Sequence, residues 1–170
     1  MTTRTHTTID TSIGELTLVA EDGVLSGVYY PGHWTRPDRT SFGPRTEDGF
    51  EVAERQLAEY LAGDRTAFDL PTVARGDGFQ RRVWELLNGI PYGETTTYGA
   101  LAQELGDPAL ARAVGRAVGS NPLSIICPCH RVVGKDSSLT GYAGGLERKR
   151  QLLDLEAPVR AHEQAAARLF

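Results

Sequence analysis

Eleven consecutive residues, Ser124-Ile125-Ile126-Cys127-Pro128-Cys129-His130-Arg131-Val132-Val133-Gly134, concentrate the reactive side chains of this sequence. Behind the apolar pair Ile125-Ile126 come two thiols, a proline and an imidazole within four residues. A cysteine is a useful nucleophile only as thiolate, and a neighbouring imidazole can take its proton. The apolar run fixes the backbone at the edge of a core. Pro128 restrains its own φ and the residue before it. A cysteine nucleophile with His130 as base is one reading. The other is a small buried thiol beside a solvated loop histidine. Cys127, Cys129 and His130 could also be zinc donors, but no second donor cluster completes a tetrahedron, so no metal is expected.

The groups that must position this stretch follow from the bulk properties and then the patterns. A chain of 170 residues holds one ordinary domain or two small ones sharing an interface. Its 40% hydrophobic content suffices for a soluble core, and no apolar run approaches the roughly 18 residues of a membrane span. Met1 to His6 contain no apolar signal region, and two cysteines one residue apart make poor disulfide partners. A reducing, cytoplasmic setting with no membrane partner is expected. The net charge of −4 is unevenly spread. Residues 1–78 carry 7 basic and 13 acidic side chains, whereas residues 79–156 carry 9 and 8. The half with the cysteines can therefore present a local basic face, with modest affinity for a polyanion.

Thr7 to Tyr30 reads as a β-hairpin: Leu16, Leu18 and Ala20 alternate with Glu15, Thr17 and Val19 before the turn Asp22-Gly23. Pro31 to Asp48 reads as a mobile loop with His33 and Trp34 as its bulky groups. Phe50, Ala53, Leu57, Tyr60 and Leu61 share one helical face, closed by Gly63. Thr66 to Leu70 is predicted as an edge strand and Pro71 to Gly76 as a linker. Nothing in this half looks catalytic, and it reads as a scaffold.

Asp77-Gly78-Phe79-Gln80 has the form of a capping box for a helix that turns Phe79, Val83, Trp84 and Leu87 inward. A helix-turn-helix follows. Thr97 caps Tyr98 to Leu105, Gly106 ends that helix, and Asp107-Pro108 opens the next. Leu110, Ala113, Val114, Ala117 and Val118 form its buried stripe, opposite Arg112, Gly115, Arg116 and Gly119. The two arginines belong either to a solvated face or to a phosphate-lined groove, and Gly115, which costs helix stability without a capping role, favours the groove. After Leu139 to Gly145, rich in glycine, Leu146 to Glu156 is a helix on which Glu156 shares a face with Leu152 and Leu153. A carboxylate there needs a partner. The expected fold is α/β: a small N-terminal α/β domain of hairpin and helix over 1–75, a mostly helical domain with the helix-turn-helix over 76–158, and a flexible tail over 159–170.

Pro128-Cys129-His130-Arg131-Val132 resembles the active-site motif of the O6-alkylguanine-DNA alkyltransferases, single-use repair proteins. In the family's order and spacing lie Tyr98, Ala111-Arg112-Ala113-Val114-Gly115, Asn121-Pro122, Gly141-Tyr142-Ala143-Gly144-Gly145 and Glu156. The likeness is close over residues 76–156 and loose before them. It implies a partner, double-stranded DNA containing O6-alkylguanine, with O4-alkylthymine as a further substrate. The reaction it implies is irreversible, stoichiometric transfer of the alkyl group without cofactor by a monomer.

The resemblance implies Cys129 as acceptor, His130 as its base through a bridging water, and Glu156 as the group that orients and charges His130. On that view the carboxylate raises the histidine's pKa, and the charged ring holds a thiolate. Asn121 would brace the turn, Tyr142 would donate to guanine O6 with the Ala143 N–H, and carbonyls near Cys129 and Val132 would accept the guanine amino group. Gly144 would let the loop approach the base. The helix bearing Arg112, Gly115 and Arg116 would enter the minor groove, with Arg112 filling the gap left by a flipped base and Tyr98 pressing on the adjoining phosphate. Two positions depart from the commoner pattern: Cys127 replaces an aliphatic residue, and Ala143 stands where some members have serine. A DNA-binding module without chemistry would lack the thiol, which is present. A cysteine hydrolase would need an oxyanion hole and direct thiol–imidazole contact, which sequence neighbours rarely make.

Overall fold

The computed structural model describes residues 2–32, 37–135 and 139–168, with side chains as far as Ala157. The chain opens with a three-stranded antiparallel meander, β1 (Arg4–Thr11), β2 (Gly14–Glu21) and β3 (Val24–Tyr29), in the order β1-β2-β3. The predicted hairpin is its β2–β3 half. β1 is an additional strand, joined to β2 by a tight turn at Ser12-Ile13 in which Gly14 takes a left-handed φ of 109°.

Leu16, Leu18 and Ala20 face the main core, as their alternation predicts. Val19 on the opposite face is also buried, with Tyr29 and Phe42. That second cluster corrects the loop expectation. Asp38 caps a short 3-10 turn, Arg39–Phe42, whose Phe42 ring stacks on Tyr29 at 5.5 Å and 10°. His6 of β1 also donates its N–H to the Pro44 carbonyl and accepts from the Thr46 N–H, so this segment covers the back of the sheet. Phe42, not one of the two expected bulky groups, supplies the anchor. His33 and Trp34 lie outside the described residues.

α1 (Glu51–Leu61) buries Ala53, Gln56, Leu57 and Tyr60. No strand forms over residues 66–70. Gln56 instead holds Asp69 through both its amide atoms, and the chain touches β3 only further on, at Thr72. Satisfying Gln56, itself buried, takes the backbone groups that an edge strand would have used.

α2 (Gly78–Asn88) begins with the predicted capping box, both of whose hydrogen bonds between Asp77 and Gln80 are made. α3 (Tyr98–Glu104) starts with the Thr97 hydroxyl accepting from the Ala100 N–H. Asp107 caps a 3-10 turn, Pro108–Leu110, that leads into α4 (Ala111–Gly119). α3 and α4 pack on each other, and α2 packs on α4. Two short parallel strands, β4 (Thr96–Thr97) and β5 (Val132–Val133), tie the start of α3 to the end of the cysteine stretch. α5 (Leu146–Arg168) continues through the segment expected as a tail, which its alanines favour.

One apolar cluster runs from Leu16 and Leu57 through Trp84 and Val114 to Cys129 and Leu152, so both halves share a core. Among the described residues no helix is long and apolar enough to cross a membrane. Phe42→Ala should lower stability by about 3 kcal/mol, at the lower end for a buried phenylalanine because its cluster is small. Denaturant melts would show this as a fall in midpoint. An unchanged midpoint would mean that the segment merely rests on the sheet.

Candidate active site

The cysteine stretch is held from three sides. The Val28 N–H, on the edge of β3, donates to the Pro122 carbonyl at 2.8 Å. β5 pairs with β4 on the other side, and the Trp84 indole of α2 donates to the Ala117 carbonyl beneath it. Just before the stretch, Asn121 acts as a staple. Its Nδ2 donates to the Cys127 carbonyl at 2.9 Å and its Oδ1 accepts from the Leu123 N–H at 3.0 Å. Between these contacts Ile125 adopts φ 73°, a left-handed conformation that a β-branched residue avoids. The Cys127 N–H donates to the Leu123 carbonyl across that residue and closes the turn.

The two thiols are equally buried, so exposure does not distinguish them. Their surroundings do. The Cys127 thiol donates to the Trp84 carbonyl at 3.7 Å, and burial raises its pKa well above the usual value. Burial also raises the Cys129 thiol. There, however, the Asn121 amide, the Lys149 charge and the backbone N–H groups of Cys129 and His130 pull it back. Cys129 is the thiol placed where a developing thiolate is stabilised.

Glu156, 1% exposed, gathers donors from three directions. His130 Nε2 lies 2.9 Å from its Oε2, and Arg131 binds both carboxylate oxygens, through Nε and Nη2, at 2.9 Å each. The Tyr60 hydroxyl of α1 donates to Oε2 as well, at 2.5 Å. Burial alone would raise the Glu156 carboxyl. The hydrogen bonds from His130, Arg131 and Tyr60 outweigh it and hold the pKa at about 2.

This network reverses one expectation. The His130 pKa is lowered, because full burial and the charges of Arg131 and Lys149 outweigh the attraction of Glu156. Arg131 already neutralises the carboxylate, so the ring has no need to carry charge. An ionised carboxylate only accepts hydrogen bonds, so Nε2 carries the proton and the neutral ring's lone pair sits on Nδ1. Buried Nδ1 has no hydrogen-bond partner among the described residues. The result is a neutral base with its accepting nitrogen uncommitted.

Lys149 and Tyr60 escaped the sequence reading. Lys149 lies seven residues before Glu156 with Leu152 between, so all three face inward on α5, and all three are buried. Its Nζ donates to the Thr140 carbonyl at 2.8 Å, and burial lowers its pKa to about 8 against the opposing pull of Cys129. A lysine in a mostly apolar stripe was the available signal. For Tyr60, on a face that otherwise reads as core, there was none.

The remaining predicted positions divide between the pocket side of this centre and the exposed face of α4. Val132, Tyr142 and Gly144 are buried and Ala143 half-buried. The Tyr142 hydroxyl lies 2.8 Å from that of Tyr30. The Tyr98 hydroxyl accepts from Thr140, whose carbonyl holds Lys149. Arg112 and Arg116 are exposed on one face of α4, where a Cβ on Gly115 would meet only the Tyr98 ring, at 3.8 Å. The protein's own packing therefore does not demand glycine at 115. No metal-binding group of histidine, cysteine and acidic residues occurs among the described residues.

The DNA-binding domain of 6-O-methylguanine DNA methyltransferase matches residues 78–158. A methylated-DNA–protein-cysteine methyltransferase of Mycolicibacterium paratuberculosis is 47% identical over 167 residues, covering 97% of this chain and 98% of that protein. The chain belongs to the methylated-DNA–protein-cysteine methyltransferase family. The constitutive enzyme of Bacillus subtilis is 41% identical over 155 residues, covering 89% of this chain and 94% of its own. Mycobacterium tuberculosis OGT in complex with DNA superposes with a TM-score of 0.82 at 46% identity, covering 91% of this chain and 93% of that one.

For a methyltransferase of this build, Glu156→Gln should cost about 3–5 kcal/mol of stability, because it leaves Arg131 buried without a counter-ion. Acid should act in two stages. His130 has a lowered folded pKa, so its share of stability declines as the pH falls below the ordinary histidine range. Glu156, also lowered, contributes fully above the ordinary carboxylate range and loses its share as the pH falls towards about 2. Urea midpoints measured between pH 7 and pH 3, for both proteins, would reveal a flatter acid limb in the variant.

Proposed function

We propose that the chain repairs DNA by direct reversal, transferring the alkyl group of O6-alkylguanine, and of O4-alkylthymine, to its own Cys129. The observation that carries this reading is His130, next in sequence to Cys129, fully buried and anchored to the Arg131–Glu156 pair through Nε2, with its buried Nδ1 without a partner among the described residues. The Cys129 sulfur attacks the alkyl carbon, a C–S bond forms, and the bond to O6 breaks. The thiol proton passes through a water to His130 Nδ1. Meanwhile Lys149 and the N–H groups of Cys129 and His130 stabilise the charge developing on sulfur. As the bond to O6 breaks, the Tyr142 hydroxyl and the Ala143 N–H donate hydrogen bonds to the guanine oxygen. The leaving guanine takes up, through water, the one proton the thiol gave to His130, so that Tyr142 keeps its own. The carbonyls of Cys129 and Val132 read the amino group, and Asn121 keeps the turn fixed. A thioether cannot be released by thiol exchange, so the protein acts once, without cofactor.

A base in a duplex must leave the stack to reach a buried thiol. In this reading α3 and α4 form a helix-turn-helix that enters the minor groove of double-stranded DNA. Gly115, not required by internal packing, lets the helix approach, while Arg116 contacts phosphate. Arg112 fills the space of the extruded base and Tyr98 presses on the phosphate beside it. The functional partition is residues 1–75 as support and 76–158 as the DNA-binding and transfer unit, acting as a cytoplasmic monomer.

Intact mass after incubation with excess duplex bearing O6-methylguanine should show about one methyl per molecule, with no further turnover. Cys129→Ser should abolish the gain and retain DNA binding. Cys127→Ser should keep it and lose stability. Methyl mapped to Cys127, or repair beyond one equivalent, would refute the reading. Separately, Arg112→Ala should slow transfer from the duplex by a few kcal/mol, yet leave reaction with the free base O6-benzylguanine nearly unchanged. Arg116→Ala should weaken binding and flatten its salt dependence by about one unit of slope. Equal losses on both substrates would make Arg112 a support of the fold.

A further inference from the structure

Tyr30 follows the last residue of β3, and its side chain leaves the sheet and enters the site. It is fully buried, 112 residues away in sequence from the hydroxyl it meets. The two oxygens, of Tyr30 and Tyr142, lie 2.8 Å apart, and the rings meet edge-on at 5.6 Å and 68°. Tyr30 also shapes the backbone that follows Tyr142. A Cβ on Gly144 would stand 2.4 Å from the Tyr30 ring, so the ring and the glycine occupy adjoining space that admits no larger residue. Arg148 closes the arrangement from above. Its guanidinium lies 5.0 Å from the Tyr30 centroid, its Nε donates to the Ile13 carbonyl, and its Nη1 donates to the Gly144 carbonyl.

We propose that Tyr30 is a positioning residue for alkyl transfer: its hydroxyl orients that of Tyr142 and its ring seats the 142–144 turn, so the N-terminal sheet sets the shape of the base pocket. The inference rests on the reading of Tyr142 as part of that pocket. Each tyrosine has one proton to donate. When Tyr30 donates to Tyr142, the Tyr142 proton is free for the substrate oxygen; in the reverse order it is spent inside the protein. Removing the Tyr30 hydroxyl removes this ordering and leaves the ring packing in place.

The test is a double-mutant cycle of Tyr30→Phe and Tyr142→Phe, read as the rate of reaction with free O6-benzylguanine. That probe needs no base extrusion. All four proteins should bind undamaged duplex equally and reach one benzyl group per molecule, which confines the measurement to folded protein. Tyr30→Phe should slow the reaction about tenfold, the scale of one lost hydrogen bond. Tyr142→Phe should slow it at least as much, and the double variant should match Tyr142→Phe alone, because Tyr30 then has no hydroxyl to orient. A purely structural role would instead multiply the two losses, and multiplied losses overturn the proposal. A Tyr30→Phe rate equal to or above that of the unaltered protein also overturns it. If Tyr142→Phe is still slow in that case, only the role of Tyr30 falls; if Tyr142→Phe is silent too, the pocket reading of Tyr142 falls with it.

Discussion

Glu156 is a carboxylate taken out of water, and most of the site's architecture follows from satisfying it. An isolated ion in such a place would neutralise or unfold its surroundings. Here Arg131 binds both oxygens, His130 and Tyr60 add a donor each, and the Arg131 Nη1 reaches on to the Ile90 carbonyl at 2.6 Å. These groups come from α1, the residues after α2, the cysteine stretch and α5. Four elements distant in sequence thus have one admissible arrangement. Such a network is costly when incomplete, so every member must be in place at once. The same constraint orients the ring: with Nε2 committed to Glu156, the buried His130 keeps Nδ1 without a partner among the described residues.

The N-terminal part consequently gives its support by reaching into the site. The outer edge of its sheet, on β3, is covered by Pro122-Leu123, which lead into the cysteine stretch, at Val28, and by Thr72-Val73 at Leu25. Tyr60 reaches the carboxylate from α1, and Tyr30 reaches Tyr142 from the end of β3. The back of the sheet is sealed separately by Phe42, which leaves the front face free to serve the site.

What could be read from the sequence was local. The Asp77 capping box, the Thr97 and Asp107 caps and the Asp22-Gly23 turn depend on residues within a few positions of each other, and all of them form, while the predicted face of α4 is buried at Val114, Ala117 and Val118 and half-buried at Leu110 and Ala113. The cysteine, histidine and glutamate were legible through a motif. Tyr30, Tyr60 and Arg131 were not, because a periodic pattern shows that a face is buried without showing what it meets. Tyr60 and Glu156 are 96 residues apart, and Tyr30 and Tyr142 are 112. The same blindness produced the wrong sign for His130. A carboxylate beside an imidazole raises its pKa, but the full burial of the ring, and the charges of Arg131 and Lys149 near it, became visible only in three dimensions. The strand expected over 66–70 failed for a related reason, since a buried Gln56 claims that backbone.

A protein that spends its nucleophile in one reaction faces a constraint that a turnover enzyme does not. An accessible, low-pKa thiolate would be consumed by oxidants and stray electrophiles before a lesion was met. Cys129 is buried with its pKa raised, so at neutral pH it rests as a thiol. His130 rests neutral beside it. On the proposed reading of Cys129 and His130, reactivity arises when a substrate is in place, from proton transfer to an already oriented base rather than from a standing ion pair. That arrangement requires the sulfur to be correctly placed beforehand, because little flexibility remains to correct it. The left-handed Ile125 fits this requirement. A β-branched residue in that conformation costs on the order of 1–3 kcal/mol and persists only where its surroundings over-determine it. The Asn121 staple, the Leu123–Cys127 hydrogen bond and burial on all sides supply that determination. The strain at Ile125 is thus coupled to the turn that leads into Cys129, and the stability that offsets it comes from the shared core behind.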